Sequence, residues 1–402
     1  MAEKKTTRKK TTKKSAKPTK SALASVRGVV KKILKDDDPT VEVDSNALTE
    51  SRPHITSGSV VLDYLIGGAP NRQGVAPCPG WPRGMISNIF GHESSGKTTV
   101  ALEAASAICD SGGLVCFIDW EHAISLDYAA ALGCPVDDPD RFYLVQPNTL
   151  EAGLSVLFAC AQAGVDLIIL DSVGAGVPKA IRDQALEEKG NMGRVGLVAA
   201  KWSNVLPQLA HDIAESGTHV MGISQLRKKI NTTGYGGDGT THQGGEAWKF
   251  YSALRLSFRR VKSLKSKDYD ALQHKNVERF TSALIKAKVV KSKVSNSQQR
   301  EAEYHITFGE GIDNVRDLIS VGAAHGIVVK SGSWYAFERK DGTSVRSQGS
   351  NSFKEDILNT PGAYDELADA VLAAVRSGLS GAAKPPADEE DDVDEALGFV
   401  TD

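Results

Sequence analysis

The sequence predicts an α/β protein with a mainly parallel central sheet, and two observations support this class. Between residues 85 and 225, short apolar runs alternate with segments of helix length, and that order requires crossover connections between parallel strands. Within this region a glycine-rich stretch lies between a strand and a helix, which is typical of a phosphate-binding loop. The 402 residues, 41% of them hydrophobic and 24% charged, suffice for one large core domain with smaller attachments.

The elements can be placed in order along the chain. Apolar residues at helical spacing predict a short amphipathic helix over 22–35, and five glycines with four prolines predict an irregular loop over 67–84. The alternating region predicts strands at 85–90, 114–119, 142–146, 165–171 and 219–225, and helices at 97–109, 125–132, 150–163 and 195–215. Strands at 253–261, 282–293 and 302–308 have no helices between them, so we expect the sheet to end in antiparallel strands. Residues 313–378 predict a small α/β C-terminal domain.

Charge is concentrated at the two ends of the chain, although the net charge is only −2. Nine of the first 20 residues are Lys or Arg, and eight carboxylate side chains lie between residues 388 and 402. Neither end has enough apolar surface to fold, so both are predicted to be disordered tails. The basic tail either adds nonspecific attraction to DNA or only solvates the chain. The acidic tail can likewise serve solubility alone.

Cysteine usage and hydropathy indicate a cytoplasmic protein. The five cysteines form no CxxC pair and no Cys/His cluster, which argues against a zinc site and against a secreted disulfide framework. No apolar run approaches the roughly 18 residues that cross a bilayer. The charged start is not followed by the apolar run of a signal peptide.

The strongest chemical signal is the run Gly91-His-Glu-Ser-Ser-Gly-Lys-Thr98, which matches the P-loop pattern with a predicted strand before it and a helix after it. Glycines let the backbone wrap closely around a phosphate, and the helix N-terminus and Lys97 add positive charge. The hydroxyl of Thr98 would bind Mg²⁺. A glycine-rich turn without a ligand is the alternative.

Carboxylates at the ends of two predicted strands complete the candidate site. Asp171 ends an apolar strand, as needed to hold Mg²⁺ and its water shell beside a P-loop. Asp119 and Glu121 follow another strand, and one of them would orient a water molecule towards the γ-phosphate. We favour Glu121, but the spacing alone does not choose between them, and either can be a structural cap.

Seven runs in order resemble the bacterial RecA recombinase family between residue 55 and about residue 376. The P-loop differs from the family's pattern by a histidine at position 92 in place of proline, and Ile118-Asp-Trp-Glu-His-Ala123 is similar to a run in which the glutamate positions the hydrolytic water. The other matching runs are Leu170-Asp-Ser-Val173, Ile223-Ser-Gln-Leu-Arg-Lys-Lys-Ile230, Gly244-Gly-Glu-Ala-Trp-Lys-Phe-Tyr251, Val289-Val-Lys-Ser-Lys293 and Phe308-Gly-Glu-Gly-Ile312.

The resemblance implies a RecA-type P-loop ATPase core at 55–312, with DNA-binding loops at 178–194 and 228–243. Smaller parts lie on either side of this core. These are a basic disordered tail at 1–21, an oligomerisation segment with a short N-terminal helix at 22–54, a duplex-DNA-binding α/β domain at 313–378 and an acidic tail at 379–402. In the family such an acidic tail competes with DNA for the basic surface.

The resemblance also implies roles for individual residues. Glu121, Lys97 and Gln225 would act in catalysis, Gln225 as the sensor of the γ-phosphate, with Lys291 and Lys293 supplied by the neighbouring subunit. The ATP-binding residues would be Gly91, Glu93, Ser94, Ser95, Gly96, Lys97, Thr98, Thr99, Tyr128 and Phe308, joined by Lys249, Phe250 and Arg255 from the neighbour, with Thr98 and Asp171 at the metal. The DNA-binding residues would be Met192, Arg194, Lys201, Arg227, Lys228, Lys229, Thr240, Gly244 and Gly245.

The implied function is that of a DNA-dependent ATPase that forms ATP-bound helical filaments on single-stranded DNA. It would catalyse homologous pairing and strand exchange in recombination and repair, with ATP and Mg²⁺ as cofactors. Its partners would be single-stranded and duplex DNA, further copies of itself, and mediator and single-strand-binding proteins, with no membrane. The location would be the cytoplasm, or the host's cytoplasm for a viral protein.

Two other classes of protein share part of these features. A ring-forming helicase of the same fold would unwind duplexes, but the run at 244–251 and the C-terminal domain favour a recombinase. A nonhydrolysing DNA-binding accessory protein would not need Lys97, Glu121 and Asp171 together.

Overall fold

The structure is a computed structural model that describes residues 50–68, 70–71, 75–183, 192–228, 240–242, 244–270 and 274–376. All of these residues belong to one structural unit. The predicted N-terminal helix and both charged tails lie outside the described residues.

The central sheet contains ten strands within the described part of the chain, and a separate two-stranded sheet pairs β1 (His54–Ile55) with β2 (Trp81–Pro82). Along the central sheet the order is β12-β11-β10-β9-β3-β7-β6-β4-β5, with β8 paired to β7. From β9 to β5 the neighbours are parallel, and from β9 to β12 they are antiparallel, as the sequence predicts. The ten strands are β3 (Ile86–Gly91), β4 (Val115–Asp119), β5 (Phe142–Val145), β6 (Leu167–Asp171), β7 (His219–Lys228), β8 (Thr240–His242), β9 (Leu254–Asp270), β10 (Lys275–Ser292), β11 (Glu301–Thr307) and β12 (Gly311–Ile312).

Helices cover both faces of this sheet because successive residues of each buried strand point to opposite sides. In β6, Leu167 and Ile169 pack in one apolar cluster, whereas Ile168 and Leu170 pack in another. The core helices are α1 (Val60–Gly67), α2 (Lys97–Asp110), α3 (Leu126–Ala131), α4 (Leu150–Gln162), α5 (Lys179–Asp183), α6 (Met192–Ser216) and α7 (Ala247–Tyr251). Helix α2 lies in the first cluster, and helices α4 and α6 lie in the second.

The C-terminal domain has its own apolar core. It combines a three-stranded antiparallel sheet with three helices, in the order α8 (Asn314–Ala324), β13 (Val328–Ser331), β14 (Trp334–Glu338), β15 (Ser344–Gln348), α9 (Ser350–Asn359) and α10 (Ala363–Arg376). The prediction of a small α/β domain from residue 313 agrees with these elements.

Several elements differ from the sequence-based prediction. Helices α1, α5 and α7 and the short strands β1, β2, β8 and β12 are additional. The β9–β10 hairpin extends well beyond 261 and 282, pairing as far as Asp270 with Lys275. Most of its outer residues are exposed, such as Lys262 and Phe280. Without one buried face, the strand lacks the apolar alternation that makes strands recognisable.

Candidate nucleotide site

The loop from Gly91 to Lys97 joins β3 to α2 in a conformation that requires glycine. Gly96 has φ +80°, and a Cβ there would lie 2.5 Å from Ile306 Cδ1. A Cβ on Gly91 would collide with the carbonyl oxygen of Phe258 in the neighbouring strand. Ser94 also has a positive φ, of 56°. The loop is therefore folded tightly against the sheet, with the first backbone N–H groups of α2 at its end, where a phosphate can bind.

Lys97 is buried beside this loop. Its Nζ atom donates to the carbonyl oxygen of His92 at 2.7 Å and lies 3.4 Å from Ser95 Oγ. Burial lowers the pKa of Lys97, while the charges of Asp171, Glu121 and Glu93 oppose that shift. The ammonium group thus lies in a poorly solvated place among carboxylates, and a phosphate group would compensate its charge.

Thr98, in the first turn of α2, meets Asp171 at the carboxyl end of β6. Thr98 Oγ1 donates to Asp171 Oδ2 at 2.9 Å. Burial raises the pKa of Asp171 to about 7, against the opposite effect of the Thr98 hydrogen bond. One hydroxyl and one carboxylate are oxygen ligands suited to Mg²⁺, which completes its shell with water and phosphate oxygens. The donor chemistry therefore fits the predicted metal site.

The structure distinguishes Asp119 from Glu121, which the sequence left open. Asp119 is 1% exposed, and its carboxylate accepts hydrogen bonds from the backbone N–H groups of Glu121, Ala123 and Ile124. That carboxylate is a structural cap for the turn after β4. Glu121 is exposed, so its carboxylate is the one of the two that a water molecule can reach.

Gln225 connects Glu121 to the predicted DNA loop. Its Nε2 atom donates to Glu121 Oε1 at 2.9 Å. Gln225 lies in β7, three residues before the end of that strand at Lys228. The carboxylate and the strand that enters the predicted DNA loop are thus in direct contact.

Two polar contacts at the site were not predicted from the sequence. The guanidinium of Arg260, on β9, donates from Nε and Nη2 to the carbonyl oxygen of Ser94 at 3.0 and 2.6 Å. Asn88, buried in β3, donates to the carbonyl oxygen of Gly222 and to Ser224 Oγ, which ties β3 to β7. An isolated arginine or asparagine in a strand carries no signal of such a role, because the contact depends on pairing between distant strands.

The two aromatic residues predicted to bind ATP, Tyr128 and Phe308, differ in how far they are buried. Tyr128 is half-buried, and its hydroxyl lies 3.0 Å from Thr99 Oγ1 on α2. Phe308 is 44% exposed, at the end of β11. The structure therefore anchors Tyr128 to the P-loop helix, whereas Phe308 is open to a ligand or to a neighbouring molecule.

Four of the residues predicted to reach a neighbour's ATP lie on α7 and at the end of β10. Lys291 Nζ donates to the backbone carbonyl oxygens of Lys249 and Phe250 at 2.7 and 3.0 Å. The Phe250 ring is 70% exposed, and Lys249 Nζ is paired with Glu246 at 2.7 Å. Lys293 is exposed just beyond the end of β10. We call Lys249, Phe250, Lys291 and Lys293 the lysine cluster.

Arg255, predicted to act with this cluster, is instead buried at 6% exposure. Its guanidinium lies 4.7 Å from the centre of the Phe90 ring, and its Nε atom lies 3.5 Å from Asn88 Oδ1. Burial lowers the pKa of Lys291, and the positive charges of Lys293 and Arg255 add to that shift. In this chain Arg255 is a buried support of the sheet, and its predicted contact with a neighbour's ATP stays a prediction.

The predicted DNA-binding positions are described only in part. Lys229 lies outside the described residues, and for Met192, Arg194, Arg227, Lys228 and Thr240 the structure describes the backbone alone. Gly244 and Gly245 have φ of 86° and 89°, and a Cβ on either would lie 2.7–2.8 Å from Val173 or Ala199. Gly244 thus lets the chain pack against Val173, and Gly245 lets it pack against Ala199 of α6. Lys201 is exposed, 3.4 Å from Glu151.

A P-loop between a parallel strand and a helix, with a hydroxyl of that helix paired to a carboxylate at the end of another parallel strand, defines a P-loop nucleoside triphosphatase. Within the described residues, no helix combines the length and apolarity needed to cross a bilayer.

Comparison with known proteins identifies the family within this class. The model of the RecA N-terminal domain matches residues 41–313. Protein RecA of Campylobacter hominis is 36% identical over 347 residues, which cover 86% of this chain and 88% of that protein. Protein RecA of Kineococcus radiotolerans is 35% identical over 387 residues, 94% of this chain and 97% of that protein. A crystal structure of the RadB recombinase is similar at a TM-score of 0.43, with 19% identity over 64% of this chain and 98% of that chain.

The chain belongs to the RecA family. It is a nucleotide-binding recombinase that catalyses homologous pairing and strand exchange, as the sequence predicts. The predicted fold is confirmed as well, whereas the roles of the individual site residues stay predictions.

Proposed function

We propose that this recombinase is a DNA-stimulated ATPase that binds Mg²⁺–ATP between adjacent subunits of a helical filament on single-stranded DNA. The observation that carries the proposal is the hydrogen bond between Gln225 and Glu121. It joins a carboxylate beside the P-loop to the strand that enters the predicted DNA loop. A change in either the nucleotide or the DNA loop therefore has a direct route to the other.

One half of the ATP site is built by a single chain. The loop 91–96 and Lys97 would bind the β- and γ-phosphates, since the loop provides N–H groups and Lys97 a buried positive charge. Thr98 and Asp171 would hold Mg²⁺, which supplies charge neutralisation on the phosphates when bound. Thr98 would then exchange its present hydrogen bond to Asp171 for the metal.

Glu121 would orient the attacking water, and its exposed carboxylate is free of the backbone N–H groups that occupy Asp119. Gln225 would contact the γ-phosphate from the same side as Glu121. Because the Gln225 amide now donates to Glu121, binding of the γ-phosphate would redirect that amide and displace the end of β7. Loss of the phosphate on hydrolysis would reverse the movement and loosen DNA.

The lysine cluster would complete the ATP site of the adjacent subunit. Among the described residues, Lys291 contacts Lys249 and Phe250, and the charges that shift its pKa are those of Lys293 and Arg255. Lys97 instead interacts with Asp171, Glu121 and Glu93. The residues around Lys97 and those around Lys291 thus form two separate groups. Two groups fit a site shared by two subunits, in which cations from the neighbour stabilise the charge of the transition state.

DNA would be held through its phosphates by the segments 178–194 and 228–243, which leaves the bases free to pair with a homologous duplex. The C-terminal domain would collect that duplex, and mediator and single-strand-binding proteins would control loading. The acidic tail would compete with DNA for the basic surface.

The proposal is tested by phosphate release measured with and without single-stranded DNA. We expect strong stimulation by DNA, and equal rates would contradict the proposal. Affinity for single strands should fall with salt at a log–log slope of roughly −0.7 for each phosphate contacted. A ring-forming helicase would instead unwind a duplex and would form no filament with single strands and a slowly hydrolysed ATP analogue in electron micrographs.

A further inference from the structure

Two cysteines meet in the apolar layer between β4 and α4. Cys116 lies in β4 and is 1% exposed, whereas Cys160 lies in the last turn of α4 and is only partly buried. Cys116 belongs to the apolar cluster that contains α4, and Cys160 packs against the same cluster. The two thiols share a hydrogen bond. The proposed ATP and DNA sites use neither residue.

The packing of α4 along β4 accounts for this contact. Cys116, Ile118 and Trp120 alternate with residues of the other face, and all three lie in the cluster beside α4. A Cβ on Gly153 of α4 would collide with the Trp120 ring, so helix and strand touch there. From Trp120 back to Cys116 the strand covers about 13 Å, and from Gly153 to Cys160 the helix covers about 10 Å. Helix α4 therefore runs antiparallel to β4 and brings Cys160 beside Cys116.

The two thiols differ in reactivity. The hydrogen bond from Cys116 lowers the pKa of Cys160, against the opposite effect of burial. The same hydrogen bond, together with burial, raises the pKa of Cys116. A cysteine attacks an oxidant as the thiolate and must be reached from solvent. Cys160 meets both conditions, whereas Cys116 stays a thiol at the position that a second, resolving cysteine occupies beside a reactive one.

Cys109 and Cys134 provide a comparison within the same chain. Both are buried, and each thiol donates a hydrogen bond to a backbone carbonyl oxygen, that of Arg141 at 3.5 Å and that of Leu102 at 3.4 Å. Burial raises the pKa of Cys109 to about 11 and the pKa of Cys134 to about 12. Both residues are therefore expected to stay unreactive thiols at neutral pH.

We propose that Cys160 is a site of oxidation by hydrogen peroxide and that Cys116 converts the product into an intramolecular disulfide. The Cys160 sulfur attacks one peroxide oxygen, the O–O bond breaks, and the departing hydroxide takes the proton that Cys160 has lost, which gives a sulfenic acid and water. The Cys116 sulfur then attacks the Cys160 sulfur, the S–O bond breaks, and the departing hydroxide takes the Cys116 proton as a second water. Two thiols thus lose two electrons to the peroxide, and the disulfide joins α4 to the strand that ends at Asp119.

The proposal is tested by treating the reduced, full-length chain with hydrogen peroxide at neutral pH, alkylating the remaining thiols in denaturant and analysing peptides by mass spectrometry. We expect a disulfide between the peptides that contain Cys116 and Cys160, reversed by dithiothreitol, with Cys78, Cys109 and Cys134 alkylated as thiols. In an equal mixture of ¹⁵N-labelled and unlabelled protein, the disulfide should join peptides of one isotope. A disulfide between isotopes, a different pair of cysteines or the absence of a disulfide would overturn the proposal.

Matched variants separate the roles of the two thiols. In Cys116→Ala, peroxide should leave Cys160 as a sulfenic acid that dimedone traps, formed about threefold more slowly because the hydrogen bond that lowers the pKa of Cys160 is lost. In Cys160→Ala, dimedone should not label Cys116, which is buried. Cys134→Ala is the control and should form the disulfide in unchanged yield. Labelling of Cys116 in Cys160→Ala as strong as that of Cys160 in Cys116→Ala would refute the assigned roles. The test on the unmodified chain does not depend on the folding of these variants.

Discussion

The two halves of the proposed ATP site differ in how they are held. The residues around the P-loop are joined within one chain by side-chain hydrogen bonds, such as Thr98 to Asp171 and Gln225 to Glu121. The lysine cluster is held mainly by bonds from Lys291 to backbone carbonyls, and its aromatic member, Phe250, is 70% exposed. Under the proposed function, nucleotide binding would be built into the monomer, whereas catalysis would depend on a surface of the neighbouring subunit.

The largest effect on activity should come from a substitution in the P-loop half of the proposed ATP site. Lys97→Ala removes the buried cation of the P-loop, so we expect DNA-stimulated phosphate release to fall by about 1,000-fold. Because burial lowers the pKa of Lys97, its charged form costs free energy in the nucleotide-free chain. Thermal unfolding should therefore show an unchanged or higher Tm without nucleotide, and no rise in Tm with ATP. A lower Tm without nucleotide would mean that the loss of activity reflects misfolding.

Substitutions in the lysine cluster should leave nucleotide binding by the P-loop half intact. Lys291→Ala combined with Lys293→Ala should reduce DNA-stimulated hydrolysis by about 100-fold, since cations that stabilise the transition state are lost. Binding of a fluorescent ATP analogue by the monomer should stay within about twofold. Lys275→Ala, at the exposed far end of the same strand, serves as the control. Equal losses of binding and hydrolysis in the double variant would refute a role in the neighbouring site.

Asp171 gives the nucleotide half a pH dependence with a definite sign. Its pKa is about 7 in the folded chain, against 3.8 as the ordinary value, so the native state binds the proton more tightly. The stability of the nucleotide-free chain should therefore fall as pH rises from about 4 to 7. Asp171→Asn should flatten this fall in urea unfolding curves and weaken Mg²⁺-dependent nucleotide binding about tenfold. Retention of the full pH dependence in the variant would contradict the assignment.

The smallest effect concerns the contact of Arg260 with the P-loop backbone. Arg260→Ala removes a two-pronged contact with the single carbonyl oxygen of Ser94, worth about 1 kcal/mol in all, so we expect a threefold to tenfold weaker affinity for ATP. The turnover rate at saturating ATP should change little. Arg259→Ala is the control, because adjacent residues of a strand point to opposite faces. The measurement is nucleotide binding without DNA, and equal effects of both variants would argue against a specific contact.

The sequence predicts this fold well where each element has one strong local signal. The alternation of apolar strands and helices, and the P-loop between β3 and α2, were recognisable because they depend on residues close together in the chain. The outer β9–β10 hairpin was not, because its exposed residues show no alternation. The choice between Asp119 and Glu121 required the conformation of the turn after β4, and the contact of Arg260 with Ser94 required the pairing of distant strands. Local spacing does not contain that information.

The central claim is that each ATP is hydrolysed between two subunits, and a mixing experiment tests it most directly. One variant carries Lys291→Ala and Lys293→Ala with an intact P-loop, and the other carries Glu121→Gln with an intact lysine cluster. Each alone should be inactive on single-stranded DNA. In an equal mixture, about one quarter of the head-to-tail interfaces would combine the two intact halves, so phosphate release should recover to about one quarter of the unmodified rate. A mixture no more active than its components would contradict the account.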